Sequence, residues 1–317
     1  MKFVVRQENS GQRLDRFLQG KLADLSRAQI QKMIKGGEIM VNGETVAAHY
    51  FLKEGDLVQG KRQKATADAG QAKGKNEGQN PKVDGLRVRI EIVAEERDYI
   101  IVNKPAGMVV HHDNQHKSGI LVDWLVKKYP EIKKVGDDEK RPGIVHRLDK
   151  DVSGLMVVAR NQEMFEYLKK QFQERRVEKE YQGLVHGVVV KDEELIDRPL
   201  GRTASGVMGV GFKSKKSREA GTQYRVTERF KNFTLLKIKI LTGRTHQIRA
   251  HMKSIGHSLV GDTIYVTRDV KRKKQQVPLG RVWLYAVRLG FKDLEGNWKE
   301  YKVKRPKELE EFLGACK

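Results

Sequence analysis

The segment GIVHRLDKDVSGLMVVAR, residues 143–160, ends in an uninterrupted apolar run, residues 155–159, that is typical of a buried β-strand. The polar stretch before this run places one carboxylate, Asp149, between Arg147 and Lys150. Catalytic groups are often carried by a loop that a rigid strand holds in place. An isolated Arg-x-Asp-Lys string is nevertheless more often a structural ion pair in a turn, so both interpretations stay open at this point.

Short apolar runs of the same kind recur through the rest of the chain, and most are rich in the β-branched residues that strands favour. They cover residues 86–93, 99–102, 181–190, 233–241 and 282–289. Two segments, residues 119–128 and 162–172, have apolar residues at helical spacing instead. Because strands outnumber helices and rarely alternate with them, we predict an α+β fold with a large mixed or antiparallel sheet rather than a doubly wound parallel sheet.

The chain is strongly basic: its 317 residues include 63 Lys and Arg against 41 Asp and Glu, which gives a formal charge of +22. Such a charge attracts polyanions and releases their counterions, so nucleic acid is the first partner we expect. The single cysteine, Cys316, excludes an intrachain disulfide and a cysteine metal site. No signal-peptide-like apolar region and no run of about eighteen apolar residues is present. We therefore expect a cytoplasmic protein without a membrane segment.

Residues 61–82, KRQKATADAGQAKGKNEGQNPK, contain no aromatic side chain and no aliphatic side chain larger than that of alanine. They cannot bury enough apolar surface to offset the entropy lost on ordering. We therefore predict a flexible basic linker over residues 61–85. It would separate a small domain, residues 1–60, from a catalytic-sized domain, residues 86–317.

The small domain shows two helical patterns followed by a strand signal. Apolar residues recur at helical spacing in residues 14–22, and Ser26 has the character of an N-cap for a second helix. Asn42-Gly43 predicts a type I′ hairpin turn from a strand at residues 39–41 into Thr45-Val46. The helices would carry a basic face suited to phosphate contacts, although an ordinary solvated face explains the charges equally well. The residues of this face are Arg13, Arg16, Lys21, Arg27, Lys32 and Lys35.

The order of these elements, in QRLDRFL and then SRAQIQKMIKGGEIMVNGETV, resembles the S4 RNA-binding domain, also called the αL domain. The resemblance covers about residues 12–59. Domains of this family bind structured RNA, and the resemblance implies the same here.

A second polar cluster follows another apolar run, in LTGRTHQIRAHMKSIG, residues 241–256. Thr245 is placed to cap a helix that Gly256 ends, and basic side chains surround the start of that helix. Such a helix start favours an anion such as phosphate, although a plain basic surface is an equally good explanation. The side chains are those of Arg244, His246, Arg249 and His251.

Two further segments carry weaker signals. In KEYQGLVHG, residues 179–187, Lys179 and Tyr181 open a strand, where a tyrosine is more often part of a core than catalytic. In NKPAGMVVHHDNQH, residues 103–116, four side chains could suggest a metal, but their spacing matches no ligand set of defined geometry. We prefer polar substrate contacts from a turn. The four are His111, His112, Asp113 and His116.

Four segments together resemble the RluA-type pseudouridine synthases, enzymes that isomerise uridine in RNA, and the resemblance spans nearly all of residues 86–290. The segments are NKPAGMVVHH, RPGIVHRLDKDVSGLMVVAR, EKEYQGLVHG and LTGRTHQIRAHMKSIGHSLVGD. The string HRLD with TGRTHQIR downstream is highly specific. The resemblance implies the pseudouridine synthase fold. With the S4-like domain, the pattern is most similar to the branch that modifies large-subunit ribosomal RNA.

In that family the aspartate of HRLD is the essential catalytic residue, which here is Asp149. The resemblance implies that Tyr181 stacks on the flipped base and removes the final C5 proton, and that Arg249 pairs with Asp149 and keeps it charged. Arg147 would fill the stack that the uridine leaves, and Ile248 would form an apolar wall beneath the base. Further substrate contacts are expected from His146, Arg244, His246 and Lys104.

The reaction is an isomerisation, so the resemblance implies no metal, no cofactor and no energy source, and we expect a monomer. Asp149 could add to ribose C1′ or assist removal of the C2′ proton, and the sequence does not decide between these routes. A synthase acting on transfer RNA, a binding-only ribosome-assembly factor and a nuclease or RNA glycosidase stay open as alternatives. A binding-only factor could have lost the Asp, Tyr or Arg of the family, and all three are present.

Overall fold

The computed structural model describes residues 2–21, 30–31, 33–34, 36–47, 49–60, 82–83, 86–87, 89–112, 119–211 and 217–316. The chain forms two compact units, Met1–Lys75 and Asn76–Lys317. Each unit has a hydrophobic core of its own. The predicted linker lies outside the described residues except for residues 82–83.

The first unit packs a helix against a small antiparallel sheet. Its described elements are β1 (Lys2–Val4), α1 (Leu14–Lys21), β2 (Ile39–Val41) and β3 (Leu57–Gly60), and the strand order is β1-β3-β2. Leu14, Phe17 and Leu18 of α1 are buried against Ile30 and Ile34, which have the helical backbone predicted there. Burial of these apolar side chains is the main source of stability for so small a unit.

The turn at Asn42-Gly43 has the positive φ angles of a type I′ turn, 54° and 87°, as predicted. The prediction that it leads into a strand at Thr45-Val46 is wrong, because β2 pairs with β3 instead. The side chain of Asn42 accepts a hydrogen bond from the amide of Leu57 at 2.8 Å. This bond ties the turn directly to β3, the next described strand along the chain.

The predicted basic face is described only in part. Arg27, Lys32 and Lys35 lie outside the described residues. Arg13 donates two hydrogen bonds to the buried carboxylate of Asp15, at 3.1 and 3.0 Å, so its charge also serves the fold. Arg16 and Lys21 are exposed on α1 and available to a phosphate.

The second unit is built on a nine-stranded mixed sheet. In addition to two short pairs, β4 (Lys82–Val83) with β5 (Leu86–Arg87) and β11 (Leu200–Arg202) with β12 (Met208–Val210), its strands are β6 (Glu91–Glu95), β7 (Tyr99–Lys104), β8 (Ser153–Ala159), β9 (Glu178–His186), β10 (Glu193–Asp197), β13 (Gly221–Arg229), β14 (Phe233–Ile240), β15 (Leu284–Lys292) and β16 (Trp298–Lys302). The order is β10-β13-β14-β9-β15-β8-β7-β6, and β16 pairs with β15. Within this sheet β8 and β15 are parallel and the other pairs are antiparallel, which confirms the predicted α+β class.

Helices cover both faces of this sheet. They are α2 (Leu121–Lys128), α3 (Gln162–Gln173), α4 (Gln247–Ser254), α5 (Arg268–Arg272) and α6 (Lys307–Gly314). Along β7, Ile100 and Val102 pack on the face that carries α2 and α4, whereas Tyr99 and Ile101 pack on the face that carries α3. Both faces are therefore buried, which is why the apolar run of β8 shows no alternation.

The parallel pair decides where the loop before β8 lies. Gly154 of β8 has φ +122° and lies so close to Ala286 of β15 that a Cβ would collide with the Ala286 backbone. On its other side Gly154 pairs with Lys104, at the end of β7. The polar loop 144–152 thus emerges within the sheet, between two strands, rather than at its edge.

Candidate active site

Asp149 lies in this loop, and two buried apolar neighbours hold the loop against the sheet. Leu148 and Val152 are 3% and 2% exposed, and the amide of Val152 donates to the Asp149 carbonyl at 3.2 Å to close a turn. The Asp149 side chain is 17% exposed and lines a cavity of about 1030 Å³. The fold therefore presents a fixed acid to a space large enough for a nucleotide.

Tyr181 lines the same cavity from the middle of β9. Its strand neighbours are Ile238 of β14 and Ala286 of β15, and the side chain is 5% exposed. Burial, and secondarily the charge of Asp149, raise the pKa of Tyr181 well above its usual value. The ring is thus a neutral, rigid wall opposite the acid at neutral pH.

Arg249 approaches Asp149 from α4, with its Nη1 3.7 Å from Asp149 Oδ2. Its main partner is a different carboxylate, because Nε and Nη2 donate to Asp262 at 2.7 and 2.9 Å. The Asp262 carboxylate also accepts the amides of Ile264 and Tyr265, each at 2.9 Å. The predicted pairing of Arg249 with Asp149 is therefore present as a secondary contact, and Asp262 holds the guanidinium in place.

Burial opposes both charges of the Arg249–Asp262 pair, yet their mutual hydrogen bonds prevail. They hold the pKa of Asp262 below and that of Arg249 above the usual values. Sequence reasoning missed Asp262, although a signal existed. An arginine among the apolar residues of α4 needs a buried carboxylate, and Asp262 is the first acid downstream of it.

His246 is a third neighbour of Asp149, with Nε2 4.0 Å from Oδ1. Its Nδ1 lies 3.0 Å from the Tyr265 hydroxyl, and burial lowers its pKa below the usual value although Asp149 opposes this. The prediction that Thr245 caps α4 is wrong. His246 precedes the helix in the left-handed conformation, φ 53°, and the side chain of Gln247 accepts the Arg244 amide at 3.0 Å.

Three more predicted residues lie around the mouth of the cavity. Ile248 is 6% exposed and forms an apolar part of its wall. Arg147 is exposed, with Nη1 3.0 Å from His111 Nε2. Arg244 is half-buried, and its Nε donates to the Glu219 carbonyl at 3.2 Å. The structure thus brings together predicted residues from loop 144–152, β9 and the start of α4.

Known proteins share this architecture. Residues 98–254 match the RNA pseudouridylate synthase family and residues 12–58 match the S4 domain. An RNA pseudouridine synthase of Bacillus subtilis, itself described as uncharacterized, is 35% identical over 98% of this chain and 96% of its own length. The chain belongs to the RNA pseudouridine synthase family. It is an isomerase, as the resemblance in its motifs implies.

Two further relatives extend the likeness. The ribosomal large subunit pseudouridine synthase D of Pseudomonas aeruginosa is 37% identical over 81% of this chain and 75% of its own length. The solved structure of human RNA Pseudouridylate Synthase Domain Containing 1 superposes with a TM-score of 0.55 at 26% identity, over 69% of this chain and 84% of that one. The observed sheet is therefore the pseudouridine synthase fold.

In this synthase the His146 side chain lines the cavity and also fixes loop 144–152 to β8. Its Nε2 accepts the amide hydrogen of Val157 at 3.0 Å, and its ring stacks on Phe172 with centroids 4.7 Å apart. Burial, aided by the charge of Lys179, lowers the pKa of His146 to about 3, so the ring is neutral. The Nε2 atom of His146 is thus already bonded to β8, so a substrate can contact only the rest of the ring.

Lys104 is not a substrate contact, and that prediction is wrong. The side chain has no exposed surface, and its Nζ donates to the carbonyls of Pro105, Met108 and Lys150 at 2.9, 2.8 and 3.2 Å. Burial lowers its pKa to about 7, while Asp149 opposes this. Lys104 of the synthase therefore ties the end of β7 to the turn that follows Asp149.

The histidine-rich segment of the synthase shows no metal site where it is described. Asp113 and His116 lie outside the described residues, and His112 Nε2 lies 2.7 Å from Asp123 Oδ1. Across the described ranges, no three His, Cys, Asp or Glu side chains cluster as metal ligands would. Among all the residues that the structure describes, no helix is both long enough and apolar enough to cross a bilayer.

Proposed function

We propose that the protein converts specific uridines of large-subunit ribosomal RNA to pseudouridine, with Asp149 as the catalytic residue. The observation that carries this proposal is the Asp149 carboxylate, which faces the cavity opposite Tyr181 with Arg249 Nη1 at 3.7 Å. The choice of ribosomal RNA is supported by the relative named ribosomal large subunit pseudouridine synthase D. The charge of +22 suits any structured RNA.

The reaction breaks the bond between uracil N1 and ribose C1′, turns the base, and joins C5 to C1′. Asp149 supplies the group that both conceivable routes need, because a carboxylate can add to C1′ or take the C2′ proton and later return it. The C5 proton is lost at the end and N1 gains one, so the isomerisation needs no cofactor. Arg249 places a positive charge 3.7 Å from Asp149 Oδ2 before the base is bound, and His246 Nε2 lies 4.0 Å from Oδ1.

Tyr181 stacks on the flipped uracil in this proposal, and Ile248 forms the apolar wall beneath it. Because burial raises the pKa of Tyr181, the phenol is protonated at neutral pH. It can therefore take the C5 proton only if its own hydroxyl proton leaves in the same step. Arg147, exposed at the mouth, fills the stack that the uridine vacates, and Arg244, His246 and His146 contact the nucleotide around it.

The remaining parts of the chain have supporting roles in this proposal. Residues 1–60 form the S4 domain and dock structured RNA through Arg13, Arg16 and the basic residues that follow, and residues 61–85 link it to the catalytic domain, 86–317. The enzyme acts as a monomer, since loop 144–152, β9 and α4 of one chain supply the site. Its place of action is the cytoplasm.

Pseudouridine mapping of ribosomal RNA tests the proposal. Cells that lack the gene should lose one or a few pseudouridines, and the wild-type gene should restore them. A gene carrying Asp149→Asn should not. An unchanged map would refute the assignment to ribosomal RNA, and transfer RNA would then be mapped in the same way. Full restoration by Asp149→Asn would favour a binding-only factor.

A further inference from the structure

Lys179 faces the catalytic cavity although the proposed chemistry gives it no task. It lies in β9 two residues before Tyr181, and alternate residues of a strand point to the same face, ~7 Å apart. Its Nζ lies 5.0 Å from the centroid of the Phe172 ring. On the other side, a Cβ added to Gly243, in the loop before α4, would lie 3.6 Å from Nζ. The ammonium therefore sits between α3 and the start of α4.

This ammonium has no anionic partner among the residues that the structure describes. The two acids next to it in sequence are taken by other cations: Glu178 binds Arg288 at 2.7 Å and Glu180 binds Lys237 at 2.9 Å. Some other cations around the same cavity have carboxylate partners, as Arg141 has Asp138 at 2.7 Å, whereas Arg147 contacts His111 and Arg244 donates to a backbone carbonyl. Lys179 therefore lines the cavity as a half-buried cation without a carboxylate partner among the described residues.

Such an arrangement costs stability. Burial lowers the pKa of Lys179 to about 8, which means that the fold disfavours its charged form. The Phe172 ring offsets only part of the cost of keeping a half-buried ammonium without a carboxylate partner. An anionic ligand in the cavity would stabilise the charged form of Lys179. The phosphodiester of RNA is such an anion, and RNA is the substrate of a pseudouridine synthase.

We propose that Lys179 binds the phosphate group next to the target uridine and thereby holds the ribose against Asp149. The inference rests on the proposed function, because it requires a uridine in this cavity with its base on Tyr181. The distance of ~7 Å along β9 between Tyr181 and Lys179 is comparable to the distance from the base of a nucleotide to its phosphate. The Phe172 ring covers one side of the ammonium and the cavity lies on another, so a phosphate approaches Nζ from the cavity.

Kinetics of three variants test the inference. Lys179→Met removes the charge, Lys179→Arg keeps it, and Lys292→Met removes an exposed lysine at the far end of β15 as a matched control. On an RNA that the wild type modifies, Lys179→Met should raise KM about 10-fold or more. The slope of affinity against salt should fall by about one phosphate contact. Lys179→Arg should restore most of both, and Lys292→Met should match the wild type.

Thermal unfolding separates binding from a structural role. Since Lys179 is a destabilising group in the free enzyme, Lys179→Met should have a Tm equal to or above that of the wild type. A lowered Tm together with an unchanged KM would overturn the inference.

Chemically modified RNA locates the contact. A neutral methylphosphonate placed on the 5′ or the 3′ side of the target uridine should weaken binding by the Asp149→Asn enzyme at one of the two positions. At that position the methylphosphonate should not further weaken RNA binding by the double variant, which carries both Asp149→Asn and Lys179→Met. Additive losses at both positions would overturn the inference while leaving the proposed function intact. If the wild type converted no uridine in any RNA, both would fail together.

Discussion

Two buried cations flank the loop that carries Asp149, and the fold holds them in different ways. On the α4 side, Arg249 makes two hydrogen bonds to the carboxylate of Asp262 and so keeps its charge. On the β7 side, Lys104 has three carbonyl partners and a pKa lowered by burial to about 7. A paired carboxylate therefore sets the charge on one side of Asp149, whereas the charge on the other side depends on pH.

The largest effect should come from removing the carboxylate between the two cations. Asp149→Asn should reduce pseudouridine formation by about 10⁴-fold or more, since an amide can neither add to C1′ nor accept a proton. RNA binding should be retained. Single-turnover conversion and equilibrium binding of the same RNA measure the two. Asp151→Asn, two residues away in the same turn, is the matched control. Loss of activity in that variant alone would mean that the wrong carboxylate has been assigned.

The α4 side is tested by Asp262→Asn, which leaves Arg249 buried without its partner. The free energy of unfolding should fall by about 3–5 kcal/mol, as measured by urea denaturation, and kcat should fall with it. Asp269→Asn breaks an exposed pair with Arg272 and should change stability by less than about 0.5 kcal/mol. Equal stability of the two variants would show that Arg249 does not depend on Asp262.

The β7 side is tested by the pH dependence of Lys104→Met. Because Lys104 binds its proton less tightly when folded than when unfolded, the unfolded chain holds more protons between about pH 7 and pH 10. Stability of the wild type relative to the variant should therefore rise with pH across this window, by at most about 1.4 kcal/mol per pH unit. Denaturation at several pH values measures the slope. Parallel curves would mean that Lys104 titrates as an exposed lysine does.

The smallest effect should come from replacing His246, the second α4-side neighbour of Asp149. It tests whether Arg249 alone acts on Asp149 from that side. His246→Asn keeps a residue that tolerates the left-handed backbone but removes the imidazole at 4.0 Å from Asp149. We expect kcat/KM to fall by about 10-fold or less, because Arg249 remains. Tyr265→Phe, which removes the hydroxyl next to His246 Nδ1, should reproduce part of this loss. A loss as large as that of Asp149→Asn would assign His246 a chemical step.

Local patterns predicted what local interactions decide. The helices α2 and α3, the strand β8 and the turn at Asn42-Gly43 each follow from the spacing of a few neighbouring residues. The strand expected at Thr45-Val46 failed, because Asn42 bonds to Leu57 and that contact closes a loop of fourteen residues. Thr245 failed as a cap because Gln247, held by partners on β13, accepts the Arg244 amide.

The sequence by itself determined the α+β class, the family and Asp149 as the candidate acid, because these depend on periodicity and on short motifs that survive without knowledge of the fold. The tertiary structure alone decided which charges are paired. It joined Arg249 to Asp262, enclosed Lys104 among carbonyls and left Lys179 facing the cavity. Pairing and burial depend on which distant segments meet in space, and burial in turn sets the pKa and the role of each charged side chain.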